Sequence, residues 1–440
     1  MSGGKFLMQT KTRPGAYINF KSIAKQAMTI GSRGIVTLPI PMSWGPAATV
    51  ITLYSTDLVD GKSLAKIGCV ASDSVSLIFR QALANCATAL IYRIDTGGTK
   101  AVGTLGNLTA TAKYAGTVGN DVKVIIVEEG ILFRVHTYYK NVEIESQLVA
   151  TIAALVSNDF VDFSGSSTLA ANAGVTLTTG TNGTISTGTY TTYLAAMKGL
   201  SWNTMGIPST DASLQAEVKA YILSLRDTSG KKVQAVMYDY DEADYEGIIS
   251  VDDGFSTDTE TITNVIFVAY MAGLTAGSNA NQSNTFRLIE GAVSITTPKS
   301  DAAIILALAA GKLVLSTRQD GGIVIEQDIN TFHTFVETKG YEMSKNRIIR
   351  TLDEVNNGIK IRYENSYIGK VDNNADGRNL FKADIIQFMN SLQKIGAITD
   401  FAGVDDVQVE EGSAIDAVIA YLAVQPVDAM EKLYMTVLVG

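Results

Sequence analysis

Apolar positions recur along the chain with two periods, and the places where the period changes divide it into blocks. Alternation with period two predicts strands, and spacings of three and four predict helices. "RPGAYINF" sets a Pro-Gly turn before an alternating run with Tyr17, Ile18 and Phe20 around Asn19, a short strand near the N-terminus. The polar residues 1–12 before it are expected to be loose. "RGIVTLPIPMSWG" predicts a second strand. Ser74 is expected to cap a helix through "SVSLIFRQALANC", with Val75, Phe79 and Leu83 on one face, and "TALIYRI" follows as a buried strand. Strand, helix, strand is the beginning of an α/β unit.

Near Gly97 the pattern shifts. From Gly98 to about Tyr190 the chain is rich in Thr, Gly, Ser and Val, with short strand-like runs at "DVKVIIVEE", "ILFRVHTYY" and "NVEIESQLV". The stretch "VTLTTGTNGTIS" is of low complexity, which is compatible with disorder. The flanking strands favour an inserted all-β domain instead. Helical spacing returns in "DASLQAEVKAYILSLRD", where Asp211 is an N-cap and Leu214, Val218, Ile222 and Leu225 form a stripe. "SDAAIILALAAGKLVLS" repeats helix then strand, with Gly311 as the stop. Two such units predict a central mixed sheet flanked by helices.

The last hundred residues form a further block. Ile348, Leu352, Val355 and Ile359 lie on one face of a predicted helix. Phe381, Ile385, Phe388, Leu392 and Ile395 lie on one face of a second. Three strand candidates follow, "DVQVE", "AIDAVIAYLAV" and "KLYMTVLV". Leu433 to Val439 alternates and then runs apolar, so this strand is expected to be tied down by pairing. Whether its partner is its own chain or another is open on these grounds. The resulting reading is a multidomain α+β chain: a mixed α/β core, an inserted all-β, sandwich-like domain, and extended N- and C-terminal strand arms. Its blocks are 1–32 (N-terminal arm), 33–97 and 191–330 (core), 98–190 (insertion), 331–425 (C-terminal α+β domain) and 426–440 (C-terminal arm).

Composition adds constraints. Of 440 residues, 46% are hydrophobic and only 18% charged, below the usual quarter, so much of the surface is expected to be covered by subunit contacts. A net charge of −9 and no basic run longer than Lys231-Lys232 argue against nucleic acid as a partner. Cys69 and Cys86 are too few for a disulfide framework and read as reduced core residues of a chain folded in a cytoplasm. The N-terminal stretch lacks the apolar segment of a secretory signal, and "VIFVAYMAGL" is half the length of a membrane span, a buried helix rather than an inserted one.

Candidate chemistry is sparse. Neither His136 nor His333 has a metal-ligand spacing to Cys or an acidic residue. No nucleophile elbow or phosphate-loop sequence is present, and "GTVGND" at 116–121 leads into a strand, a turn whose glycines permit positive φ. "DNNADG" at 372–377 opens like a calcium loop, but the twelfth position is Ala383, so it reads as an Asx-rich turn capping the next helix. "DYDEADYEG" at 239–247 gathers five carboxylates with no evident basic partner, a solvated acidic loop or an interface salt-bridge donor. No catalytic residue, metal or cofactor is expected.

Four stretches carry a resemblance: "RPGAYINF", "KYAGTVGNDVKV", "EQDINTFHTF" with "SKNRIIRTLDEV", and "DGRNLFKADIIQFMNSL". In this order they resemble the contractile phage tail sheath family, most closely the branch of Gram-positive phages, prophages and phage-tail-like bacteriocins. Ala115 stands where relatives often have proline. The resemblance implies a structural protein that stacks as six-fold rings in a helical sheath around a tail tube. On contraction the sheath drives that tube through a target envelope. Partners would be further copies, the tube protein, and baseplate and tail terminator proteins. The place would be a virion tail or phage-tail-like particle assembled in the bacterial host cytoplasm. The arms, Tyr17, Ile18, Asn19 and Phe20 at one end and Leu433, Tyr434, Met435, Thr436, Val437 and Leu438 at the other, would exchange as strands between subunits, with the sheet containing "AIDAVIAYLAV" as acceptor. Lys382 and Lys394, off the apolar face of their helix, are candidate tube contacts. Two other classes compete. A surface adhesin-type β-protein would show a signal peptide, and a cytosolic α/β enzyme with a β insertion would show a convergent polar site.

Overall fold

In the computed structural model, residues 3–4, 16–17 and 33–439 are described. The core is a seven-stranded sheet in the order 312–313, 248–251, 234–238, 204–207, 35–40, 88–93, 50–54. All pairs are parallel except the last, which is antiparallel, so the sheet is mixed. Period-two alternation sends side chains to two separate layers. Val36, Leu38, Val236 and Ile249 pack under the helices Leu77–Leu83 and Asn264–Gly277. Met205, Ile207, Ala235 and Met237 pack under Thr187–Lys198 and Ala212–Leu223. Asp211 caps the last of these by accepting from the Ser213 and Leu214 amides, and its predicted stripe of Leu214, Val218, Ile222 and Leu225 is buried.

Helix Asn264–Gly277 is apolar all round because it is buried all round. Its glycines are functional in packing. A Cβ at Gly273 would sit 1.9 Å from the Ala82 carbonyl oxygen, and one at Gly277 1.8 Å from that of Asn85. Four residues apart, the two glycines make a groove in which the backbone of 82–86 lies.

Residues 100–176 form two sheets, ordered 142–149, 132–139, 122–129, 172–176 and 161–165, 108–115, 100–105. They close on a core of their own that includes Val122, Val124, Ala110, Ala112 and Val161. Trp44 enters this core from the α/β unit, fully buried, stacked on Phe160 at 5.7 Å and edge-on to Tyr114 at 5.3 Å. Gly116 of the "GTVGND" turn has φ +134°, and a Cβ there would lie 2.0 Å from the Ser43 oxygen, so the turn is also a close contact between the units.

The C-terminal unit is built on helices Asn346–Ser366 and Ala375–Lys394. Phe381, Ile385, Phe388 and Leu392 are buried between and beneath them. Asn374 caps the second helix by accepting from the Gly377 amide, the turn role read from "DNNADG". A hairpin of Val407–Glu411 and Val418–Leu422 follows, and Gln425–Pro426 pairs with Ile398–Thr399.

Several expectations change. Ser74–Ser76 form a 3-10 turn, and the helix starts only at Leu77; the tighter turn shifts the phase and leaves Val75 65% exposed. Ile395 lies past its helix end and is half-exposed. Helix Asp301–Ala309 does not cover the sheet: none of its residues is buried, and Ile305 and Leu306 are 66% and 71% exposed. The acidic loop at 239–247 has basic partners, contributed by segments about 70 to 90 residues later. Lys312 bonds Asp239 at 2.6 Å and Asp241 at 3.3 Å, Lys339 bonds Glu246 at 2.5 Å, and His333 lies 3.5 Å from Asp244. Gly3–Gly4 pair in parallel with Ala16–Tyr17, whereas Ile18, Asn19 and Phe20 lie outside the described residues.

The Gly273 contact generates a prediction. Gly273→Ala should lower stability by about 3 kcal/mol, the upper end for overpacking, because the obstacle is backbone that cannot rotate away. Urea unfolding of the unassembled subunit, followed by circular dichroism, measures it. A midpoint equal to the wild type's would refute the close packing.

Candidate assembly surface

Helix Asn346–Ser366 joins the C-terminal unit to the core through its polar face. Asp353 receives two hydrogen bonds from Arg226, at 2.7 and 2.8 Å, with both side chains over nine-tenths buried. Burial opposes the Arg226 charge, but Asp353 more than offsets it and holds the guanidinium above its ordinary range. One turn earlier Arg350, fully buried, donates to Asp328 at 2.7 Å. Asn346 donates to Asp328 at 3.0 Å and accepts from Gln234 of the central sheet at 3.0 Å. This buried polar seam was missed in the sequence, where only the apolar face of the helix shows a period.

From this seam the chain end can be followed outward. Val427 donates its amide to the Ala397 oxygen at 3.0 Å. The Glu431 carboxylate accepts from Thr285 at 2.8 Å, from Gln327 at 2.6 Å and from Lys345. The last is an ion pair with side-chain exposures of 12% for Glu431 and 4% for Lys345. Beyond it, positions 432–439 are all exposed and, among the described residues, make no hydrogen bond to the rest of the chain. Leu433, Tyr434 and Leu438 are 84%, 90% and 91% exposed. Among the described residues, no strand pairs with this segment. Within the 426–440 segment, residues 426, 427 and 431 are attached to the body, while the segment from 432 on makes no hydrogen bond among the described residues.

Other predicted positions are dispersed. Lys382 is half-buried and donates to the Val404 oxygen at 3.0 Å, while Lys394 is exposed in the last turn of the same helix. His136 pairs with Glu143 at 3.2 Å. Cys69 is buried and Cys86 half-buried, both free, and burial pushes both thiols up to about 12. Among the described residues no group of His, Cys, Asp and Glu is arranged to hold a metal, and no helix is long and apolar enough to cross a membrane. The surface feature that stands out among the described residues is apolar and exposed: residues 433–439, Ile305 and Leu306 of helix Asp301–Ala309, and Ile419 and Tyr421 on the hairpin.

Comparison with known proteins is decisive at this point. Four phage tail sheath domain models match in succession: the Gp18 domain III N-terminal region over 33–94, the beta-sandwich domain over 96–182, the central domain over 183–331 and the C-terminal domain over 338–440. The chain is 34% identical to the phage-like element PBSX protein XkdK of Bacillus subtilis, over 99% of both chains. The chain belongs to the phage tail sheath family. Its solved relatives include the sheath tail proteins of Desulfitobacterium hafniense (40% identity, TM-score 0.85, covering 96% of this chain and 99% of that one) and Listeria innocua (30%, 0.80, 92% and 95%). As a tail sheath protein it is a sheath subunit of multidomain α+β fold, in a family that is structural and generally non-enzymatic.

The Glu431 clamp has a pH dependence. Burial alone would raise the Glu431 pKa, but the hydrogen bonds from Lys345, Gln327 and Thr285 outweigh it and hold the carboxyl below the usual glutamate range. Burial likewise opposes the Lys345 charge, but Glu431 and Tyr341 hold its ammonium above its ordinary value. A depressed carboxyl stabilises the fold at neutral pH, and that contribution is lost as pH falls through its folded value. Below about pH 4, the protection of the Val427 amide, which donates to Ala397, should therefore fall while that of strand 204–207 persists. Undiminished protection of both at pH 3 would contradict the clamp.

Proposed function

We propose that this sheath subunit polymerises helically, as six-fold rings around a tail tube, and that its terminal strands link neighbouring copies. Contraction of the polymer then drives the tube through a target envelope without loss of these links. The reading is carried by one observation. Residues 432–439, rich in large apolar side chains, project exposed from a clamped root and have no hydrogen-bond partner among the described residues. An extended segment of this kind binds by adding to an exposed sheet edge, with main-chain hydrogen bonds for affinity and side-chain pockets for register. The two-stranded hairpin 407–411/418–422 offers such an edge for the arm of another copy. A head-to-tail contact that does not close gives an open helical polymer. Contact between copies also covers helix Asp301–Ala309, whose only charge is Asp301.

Contraction on this reading needs no nucleotide: the extended sheath is kinetically trapped above a more stable contracted packing. The chain acts without enzymatic activity and without nucleic acid, alongside the tube, baseplate and terminator proteins, and assembles in the bacterial cytoplasm.

Alternation fixes which side of the arm is buried. Leu433, Met435, Val437 and Val439 share one wholly apolar side, and Tyr434, Thr436 and Leu438 the other. Negative-stain microscopy of the full chain beside one ending at Glu431 should show sheath-like tubes for the first and small particles for the second. Val437→Asp should behave like the truncation, and Thr436→Asp should retain tubes at reduced yield. Equal polymerisation of the truncated chain would discard arm exchange.

Lys382 and Lys394 are the proposed tube contacts. Replacing both with Glu should give sheaths that assemble without a tube. Normal tube-filled particles from that variant, seen by cryo-microscopy, would end this assignment.

A further inference from the structure

The arm has a sharply defined root. Upstream of it, attachment is slight: a two-residue ladder between Gln425–Pro426 and Ile398–Thr399 and one amide bond from Val427 to Ala397. Such short pairing frays easily. Glu431 comes next, and its three donors arrive from three separate segments. Thr285 lies beyond helix Asn264–Gly277, Gln327 beyond strand Ile323–Ile325, and Lys345 at the start of helix Asn346–Ser366. These segments meet where the α/β core joins the C-terminal unit.

The clamp is continuous with the buried seam. The Thr285 hydroxyl donates to Glu431 and accepts from the Asp328 amide at 2.9 Å. Asp328 is held by Arg350 and Asn346, and Asn346 by Gln234 in the central sheet. Residue 431 is therefore tied to the central sheet by a continuous chain of hydrogen-bonded groups, beside the covalent path back to the short ladder.

We propose that Glu431 is a positioning residue that anchors the exchanging arm, setting Lys432 as the point where the arm leaves the body. Its role in assembly rests on the sheath reading above; the clamp itself does not. The anchor sets the arm's reach. Residues 432–439 span at most about 28 Å when extended, and release of 425–431 would add roughly 25 Å of slack. Slack lowers the effective concentration of a tethered segment at its acceptor. It also removes the fixed spacing between linked subunits on which helical order depends.

The test uses the full chain. In Glu431→Gln the charge is lost and the shape kept. Hydrogen exchange of the unassembled subunit should show the protection of the Val427 amide at the arm root falling by about tenfold or more, with strand 204–207 unchanged. Because Glu431→Gln leaves Lys345 buried and unpaired, Glu431→Gln/Lys345→Gln is measured beside it. The double variant should restore any lost core stability yet still show the unprotected root. Unchanged protection of the Val427 amide in both variants overturns the anchor. In microscopy, both variants should form fewer and less regular tubes than the wild type. Wild-type tube yield and helical order with an unprotected root would overturn the assembly role. If instead the wild-type chain and the chain ending at Glu431 give the same particles, the sheath-arm reading fails, and the exchange data still decide the clamp.

Discussion

Everything at the C-terminal end of this chain depends on one buried polar seam. Arg226 and Asp353, and Arg350 and Asp328, pair across the boundary between the α/β core and helix Asn346–Ser366. Pairs of this kind gain little net stability, because desolvation cancels most of the attraction. Removing one partner is costly, about 3–5 kcal/mol, since the other charge stays buried. What such a seam supplies is geometry: a bidentate guanidinium–carboxylate pair fits in one arrangement. The C-terminal unit is thereby set at a fixed pose on the core, and the arm root inherits that pose through Lys345 and Thr285.

The β-sandwich is attached by a different device. Arg93 and Asp95 are both buried, and the Arg93 guanidinium donates to the Gly45 and Ala115 oxygens at 2.8 Å. Asp95, just before the insertion, accepts from the Met42 amide of the core and from the Gly183 amide near its exit, so it ties entry and exit to the core. Trp44 plugs the sandwich from below. Under the proposed function, joints of this kind would keep each body intact while exposed segments link neighbouring copies.

Much of the fold was legible in the residues, for physical reasons. Helix 212–223 follows from Asp211 and a stripe at helical spacing, and the strands of the insertion from alternation and turn residues. These are local properties of chain geometry, and each is present in the sequence. Less legible were features that depend on residues distant in the chain. The acidic loop at 239–247 looked solvated because Lys312 and Lys339 are far from it in sequence. Helix 301–309 looked like a core helix because composition does not distinguish burial within a chain from an apolar surface left uncovered by it.

The sequence by itself determined the order of units, the mixed sheet, the all-β insertion and an apolar, alternating chain end. These rest on periodicity, which acts between neighbours along the chain. Only the tertiary structure decided that Glu431 is clamped and that residues 432–439 are exposed. It also revealed that the polar face of helix 346–366 is as buried as the apolar one. The reason is that a buried charge is tolerated only where its partners converge, and here those partners come from positions 226, 285, 327, 328 and 345, which chain folding alone brings together.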